Sequence, residues 1–369
     1  LPPYDRGPGG AYGFFLRTGN SANLDVKIAK GRVPYWREIA AHPNYDEYWK
    51  ARELPTKMTN LKCAVLTVGG WFDGEDLWGA LNLYRETEKR SPGIVNALVM
   101  GPWSHGQWAG GPGDRFSAWT FGQAAGERYR DEIEAPFFAK YLDGAAVPAP
   151  AEATVFETGG NRWRTFPAWP PATVPVSFAL GGDGTLGSSA AGSRGFVVDP
   201  AAPTPYVADW KTSKRRPAAY MGADERFLDG RADVADWRGP VRTAPLTVAG
   251  PVIADLYVTT TGTDGDLFVK VIDEFPDGSR KLLRWEVMRL KFRDSAEKPA
   301  PMVPGKPTRV RFALNDVMHS FGKGHRMLVR VQGAMFPLVE RHPHVFGDVF
   351  AAKPASYRKA AVRVLSGPE

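Results

Sequence analysis

Two residue types that can share a proton stand at matching places in this sequence. Asp73 follows the apolar run Cys63 to Val68, which ends in Gly69-Gly70, and His105 follows the run Val95 to Met100, which ends in Gly101-Pro102. An acid can orient an imidazole and stabilise it once protonated, so the pair could serve as the general-base half of a hydroxyl nucleophile's machinery. Taken alone the pairing is weak. An aspartate after a strand is often a turn or cap residue, and a histidine there is often simply hydrogen-bonded.

The elements around the pair must bring it together. Continuous apolar runs of this length read as strands buried on both faces. Between them, residues 75 to 90 carry Leu77, Leu81 and Tyr84 at helical spacing. Strand, helix and strand in this order form a βαβ crossover, so the two strands are expected to be parallel, with Asp73 and His105 beyond their carboxyl ends. Open parallel sheets bind ligands at that edge.

Upstream, helices are expected around Val33 to Ala40 and Tyr45 to Arg52, punctuated by Pro43 and Pro55. Downstream, residues 123 to 142 form an amphipathic helix with Tyr129, Ile133, Phe137, Phe138 and Tyr141 on its apolar side. The texture changes after Asp143-Gly144, where the Ala/Pro-rich stretch Ala145 to Ala153 reads as a linker. Short alternating runs follow at Val252 to Thr259, Leu267 to Ile272, Leu282 to Leu290, Arg309 to Leu314, Met327 to Val331 and Ala361 to Leu365. Pro276-Asp277-Gly278 is a hairpin turn signal. Many short strands with turn punctuation suggest a β-sandwich of jelly-roll type.

The paired motifs resemble a known group. Gly69-Gly70-Trp71-Phe72-Asp73-Gly74-Glu75-Asp76-Leu77 and Gly101-Pro102-Trp103-Ser104-His105-Gly106 resemble the acid and histidine motifs of the cocaine esterase, α-amino acid ester hydrolase and X-Pro dipeptidyl-peptidase group of serine hydrolases. His42-Pro43-Asn44-Tyr45-Asp46-Glu47-Tyr48-Trp49 is similar to the end of that group's helical cap, and Trp163 to Pro170 to its entry into a C-terminal jelly roll. Leu246 to Pro251 and Gly324-His325-Arg326 are similar to strands of that domain. The resemblance implies the C-terminal part of an α/β-hydrolase plus an all-β jelly-roll sandwich, divided as a cap remnant (1–55), a hydrolase part with acid and histidine (56–145), and linker plus jelly roll (146–369). It also implies hydrolysis or aminolysis of an ester or amide through an acyl-serine, with an α-amino acid ester or a β-lactam-type acyl donor as substrate. Asp73 would orient His105, and His105 would shuttle the proton. No cofactor and no metal are implied; the sequence itself carries no localisation signal, and only the resemblance suggests a periplasmic or secreted location.

One departure shapes the rest. The family's nucleophile sits in a Gly-x-Ser-Tyr-x-Gly elbow, and these 369 residues contain no G-x-S-x-G. Ala191-Gly192-Ser193-Arg194-Gly195 comes nearest and lies in a Gly/Ser loop of the wrong domain. The chain is therefore expected to be a C-terminal piece, completed by an N-terminal segment or companion chain that carries the serine. Two lone parallel strands would also leave backbone groups unpaired, which calls for further strands from elsewhere. A small ester, amide or short peptide and a second copy of the chain complete the expected partners. The alternatives are an X-Pro dipeptidyl-peptidase and a non-catalytic jelly-roll binding module using Trp210, Trp237 and Trp285.

Other chemistry-bearing residues have plainer readings. Glu75 and Asp76 suit the first turn of a helix, whose dipole favours acids. Tyr45, Asp46 and Glu47 are candidates for holding a substrate's ammonium, with a solvated helix face as the rival. Trp71 and Trp103, with Trp108, could line an acyl pocket or pack the core. His342-Pro343-His344 lacks a third spaced ligand and reads as an exposed loop. Cys63, the only cysteine, reads as inert packing in a buried strand and excludes an intrachain disulfide. The net charge of +7 is spread thinly, with Lys214-Arg215-Arg216 its longest like-charged run, which argues against nucleic acid. No apolar run approaches the roughly 18 residues of a membrane span.

Overall fold

Short helices separated by glycine and proline open the chain: α1 (Gly10–Thr18), α2 (Pro34–Ala41) and α3 (Glu47–Arg52). The structure, a computed structural model, describes residues 7–213 and 218–367, so the Lys214-Arg215-Arg216 run lies outside it. The sequence reading missed α1, because Gly10 and Gly13 argue against a helix. What holds it is packing: Tyr12 is buried against Trp210 and Phe336, and its hydroxyl donates to the Pro203 carbonyl at 2.7 Å.

The crossover comes next: β1 (Val65–Gly70), α4 (Leu77–Arg90) and β2 (Asn96–Gly101). β1 and β2 pair in parallel from Val65 opposite Asn96 to Gly70 opposite Gly101, as the apolar runs require. α4 buries Leu77, Leu81 and Tyr84, the face its spacing predicts. A helical stretch over 125–141, α5, contains a π-turn at Arg130–Glu134 just ahead of Pro136, whose missing N–H breaks the regular ladder.

The sheet then runs past the linker. β3 (Ala153–Glu157) adds parallel to β2, and β4 (Arg162–Phe166) closes that side antiparallel, giving the order β1-β2-β3-β4. The sheet therefore crosses the division expected at 145/146: the Ala/Pro composition marks a connection between strands of one sheet. Cys63 needs correction as well. The strand begins two residues later, at Val65, and Cys63 is exposed.

The remaining strands are β5 (Ser193–Val198), β6 (Val234–Arg238), β7 (Leu246–Thr260), β8 (Asp266–Glu274), β9 (Arg280–Arg289), β10 (Thr308–Phe321), β11 (Arg326–Gln332) and β12 (Ala360–Leu365). They form two antiparallel four-stranded sheets, ordered β9-β8-β11-β6 and β10-β7-β12-β5. Every strand expected from alternation is present, and Gly278 turns the β8–β9 hairpin at φ 82°. The sandwich core lies between the sheets, with Leu267, Val269 and Val271 of β8 pointing into it.

β8 is buried along its whole length. Its other face, carrying Phe268 and Lys270, is covered by the first sheet's surroundings and by the turn Glu225–Leu228, where Lys270 pairs with Glu225 at 2.8 Å. One hydrophobic cluster accordingly spans both units, joining Trp71, Leu98, Trp103 and Phe156 to Phe268, Met318 and Met335. Trp237 is buried, while Trp210 and Trp285 pack against this cluster, so these tryptophans serve the core and not a docking face.

Because Trp103 is fully buried among Trp108, Tyr129 and Trp163, Trp103→Ala should cost about 3–5 kcal/mol in urea unfolding. A loss below about 1 kcal/mol would contradict the placement.

Candidate active site

The ends of β1 and β2 continue toward each other as backbone, and this contact aims the two polar side chains. The Trp71 N–H donates to the Gly101 carbonyl at 2.8 Å, and the Phe72 N–H donates to the Trp103 carbonyl at 3.1 Å. Such an approach leaves no room for a side chain at position 70: a Cβ there would lie 2.1 Å from the Trp103 carbonyl oxygen. That is why the run ends in glycine. On the partner loop Gly106 has φ 70°, a conformation that glycine adopts without strain, and it turns the chain directly after His105.

The two candidates are brought together. Asp73 Oδ2 lies 3.0 Å from His105 Nδ1. Asp73 Oδ1 accepts from the Glu75 N–H at 2.7 Å and the Asp76 N–H at 3.0 Å. A carboxylate whose other oxygen already accepts two N–H groups acts as an acceptor, so Nδ1 carries the proton and Nε2 presents its lone pair outward when the ring is neutral. The Asp73 side chain is 2% exposed and that of His105 is 55% exposed. Hydrogen bonding to Asp73, then its charge, raises the His105 pKa above the ordinary 6.5, with further help from Glu75 and Asp76. Trp108 stands edge-on to the imidazole, ring centres 6.1 Å apart.

Glu75 and Asp76 differ from their expected place. Helix α4 starts at Leu77 with no acid in its first turn, and Asp76, at the cap position, makes no capping hydrogen bond with its side chain. Both are exposed beside the pair. Partial desolvation of its carboxyl against the turn, followed by the Asp73 charge, raises the Asp76 pKa even though the residue as a whole is exposed. The signal was present in the sequence as the spacing of three acids in Asp73-Gly74-Glu75-Asp76, but the helix dipole offered a sufficient explanation.

Trp71 and Trp103 sit in the core, 2% and 0% exposed, and are not pocket walls. Their indole N–H groups donate to the carbonyls of Phe156 and Gly69, both at 2.8 Å. Tyr45, Asp46 and Glu47 find partners elsewhere. Asp46 caps α3 through the Tyr48 N–H at 3.0 Å and meets His42 Nδ1 at 2.6 Å, a contact that lowers its pKa. The Tyr45 hydroxyl donates to Glu53 at 2.5 Å, and Glu47 pairs with Lys50 at 3.0 Å. Lys50 also reaches Glu297, and the Tyr45 N–H donates to the Ala296 carbonyl, so this segment docks on a loop of the sandwich.

His342 and His344 are buried, against the expectation of an exposed loop. His342 Nε2 lies 3.2 Å from Asp264, its Nδ1 accepts the His344 N–H at 2.8 Å, and burial pushes His344 down to about 4. Among the described residues no group of three or more His, Cys, Asp or Glu is placed to hold a metal ion, and no helix is long and apolar enough to cross a membrane. Ser193, of the near-miss elbow, begins strand β5, where it pairs with Leu365.

Comparison with known proteins converges on one family. Residues 5–107, which hold Asp73 and His105, match the X-Pro dipeptidyl-peptidase (S15 family), and residues 146–348 match the X-Pro dipeptidyl-peptidase C-terminal non-catalytic domain. The cocaine esterase of Rhodococcus sp. (strain MB1 Bresler) is 29% identical over 361 residues, covering 92% of this chain and 61% of that protein. An α-amino acid ester hydrolase structure superposes with a TM-score of 0.94 at 31% identity, over 99% of this chain and 64% of that one. An aminopeptidase from a marine sediment Thaumarchaeota archaeon gives 0.92 at 31% identity, over 98% of this chain and 62% of that one. The chain thus spans somewhat over three-fifths of the length of these relatives. With both of its parts matched and the paired motifs in place, the chain belongs to the X-Pro dipeptidyl-peptidase (S15) family of hydrolases, the group that includes cocaine esterase and α-amino acid ester hydrolase.

Proposed function

We propose that this chain supplies the acid and the histidine of a serine hydrolase that cleaves, or aminolyses, an ester or amide. The observation that carries the reading is the buried Asp73 bound to His105 Nδ1 with the imidazole's other edge open to solvent. His105 Nε2 takes the proton of an attacking serine hydroxyl as the acyl-serine forms and returns it to the leaving group. It then activates the water, or amine, that releases the acyl group. Asp73 holds the ring and stabilises the imidazolium between these steps.

The serine comes from a segment outside these 369 residues, which contain no elbow. A place for that segment is supported by β1: among the described strands it pairs only with β2, so its other edge can take a further strand. The finer reading is an acyl donor with a free α-ammonium, as an amino acid ester or a peptide N-terminus has. Glu75 and Asp76 support it, two exposed acids that act on His105. It also agrees with the names of the α-amino acid ester hydrolase and the aminopeptidase that this chain resembles.

A serine-directed fluorophosphonate should label a serine outside residues 1–369 and leave this chain unmodified; label on this chain would refute the assignment. Since His105 must be neutral to act as base and its pKa is raised, the acid limb of kcat/KM should lie above pH 6.5. Asp73→Asn should shift that limb back toward 6.5 and lower kcat/KM by up to about 10⁴-fold. Replacing Glu75 by Gln together with Asp76 by Asn should raise KM about 3- to 10-fold for an α-amino ester relative to its desamino analogue. Equal effects on both substrates would remove the acids from ammonium recognition.

A further inference from the structure

Asp73 stands on a turn that another part of the chain holds. Trp71, two residues before it, is fixed at four points, one of them its backbone N–H bond to the Gly101 carbonyl. Its indole N–H bond to the Phe156 carbonyl and its ring contact with Trp169, centres 5.7 Å apart, also lie within the surroundings of the first sheet. The fourth is the Trp71 carbonyl, which accepts from Arg284 Nη1 at 2.7 Å. Arg284 belongs to β9 of the sandwich and lies beside a β-bulge, where the β8–β9 register steps between Val271 and Ile272. Bulges re-aim side chains.

The placement of Arg284 is costly. Its residue is 1% exposed, and burial drives the guanidinium down to about 10 despite the charges of Asp316 and Glu286. Nε has no hydrogen-bond partner. A well-packed apolar side chain is generally the cheaper solution at such a buried position. The Trp71 carbonyl gives the cation a specific task. It belongs to the same planar peptide as the Phe72 N–H, which donates to the Trp103 carbonyl on the histidine loop. Holding one end of this peptide fixes the other, and hydrogen bonds in series strengthen each other.

We propose that Arg284 is a positioning residue, contributed by the sandwich, that locks the Trp71–Phe72 peptide and thereby aims Asp73 at His105. The inference rests on the Asp73–His105 reading above.

Its test needs no turnover. The protein is labelled with ¹³C-histidine, and His105 is titrated by NMR in the wild type, Arg284→Met and Arg284→Lys, with amide exchange of Phe72, Glu75 and Asp76 measured alongside. The charged groups facing His105 are Asp73, Glu75 and Asp76, and all are kept. Arg284→Met should drop the His105 midpoint toward 6.5 and speed Phe72 exchange by on the order of tenfold, while Arg284→Lys restores part of both. A merely structural arginine would lower thermal stability and leave the midpoint where it was. That outcome in a folded Met variant overturns the proposal. Should the Met variant not fold, the Lys variant decides: a partial drop with faster Phe72 exchange supports positioning, and wild-type values for both overturn it. A wild-type midpoint at 6.5 would instead remove the Asp73–His105 reading, and the proposal with it.

Discussion

A carboxylate taken out of water is tolerated only where its oxygens are met by donors. Asp73 satisfies this with two N–H groups from its own turn and one from His105. Much of the local structure follows. The turn must be tight enough to fold the amides of residues 75 and 76 back onto the side chain, so helix α4 cannot begin before Leu77. The histidine loop must come within reach, so the strand ends touch through their backbones and position 70 tolerates no Cβ. The imidazole is then held on one side by a buried acceptor and left open on the other, which is the asymmetry a proton shuttle requires.

That arrangement has support from well beyond its own sheet. Phe72 is stacked on Phe116 and packed against Trp119, whose indole N–H donates to the Leu282 carbonyl of β9. Arg85 of α4 and Trp169 both bond Asp316 of β10. Each of these links runs from the surroundings of the acid turn to the edge strands β9 and β10. The sandwich is thus packed into the same apolar cluster as the parallel sheet. The polar residues of β8 are buried for the same reason, since a strand covered on both sides has no solvent face.

Periodicity made much of this legible. The apolar runs specified the parallel pair, the spacing of Leu77, Leu81 and Tyr84 oriented the helix, and alternation with glycine turns located the sandwich strands. That Asp73 and His105 could meet was readable because residues just beyond parallel strand ends share an edge, whereas their roles rested on the family resemblance of the two motifs. Other features escaped for physical reasons. β3 was hidden behind an Ala/Pro stretch, and α1 behind two glycines that tertiary packing overrides. Trp71 and Trp103 have the composition of a pocket wall, and only their committed N–H groups reveal them as core. His342 and His344 sit in a segment whose proline suggests a surface loop, yet Asp264 draws it inside. Arg284 had no sequence signature, because its partner is a backbone carbonyl more than 200 residues away.

The segment of α3 is tied down by Ala296 and Glu297 through Tyr45 and Lys50, whereas the acid and histidine turns hang from β1 and β2. The helical segment and the Asp73–His105 pair are therefore anchored through separate sets of contacts. A substitution that loosens α3 from the sandwich thus leaves every hydrogen bond of Asp73 untouched, because none of its partners lies in that segment.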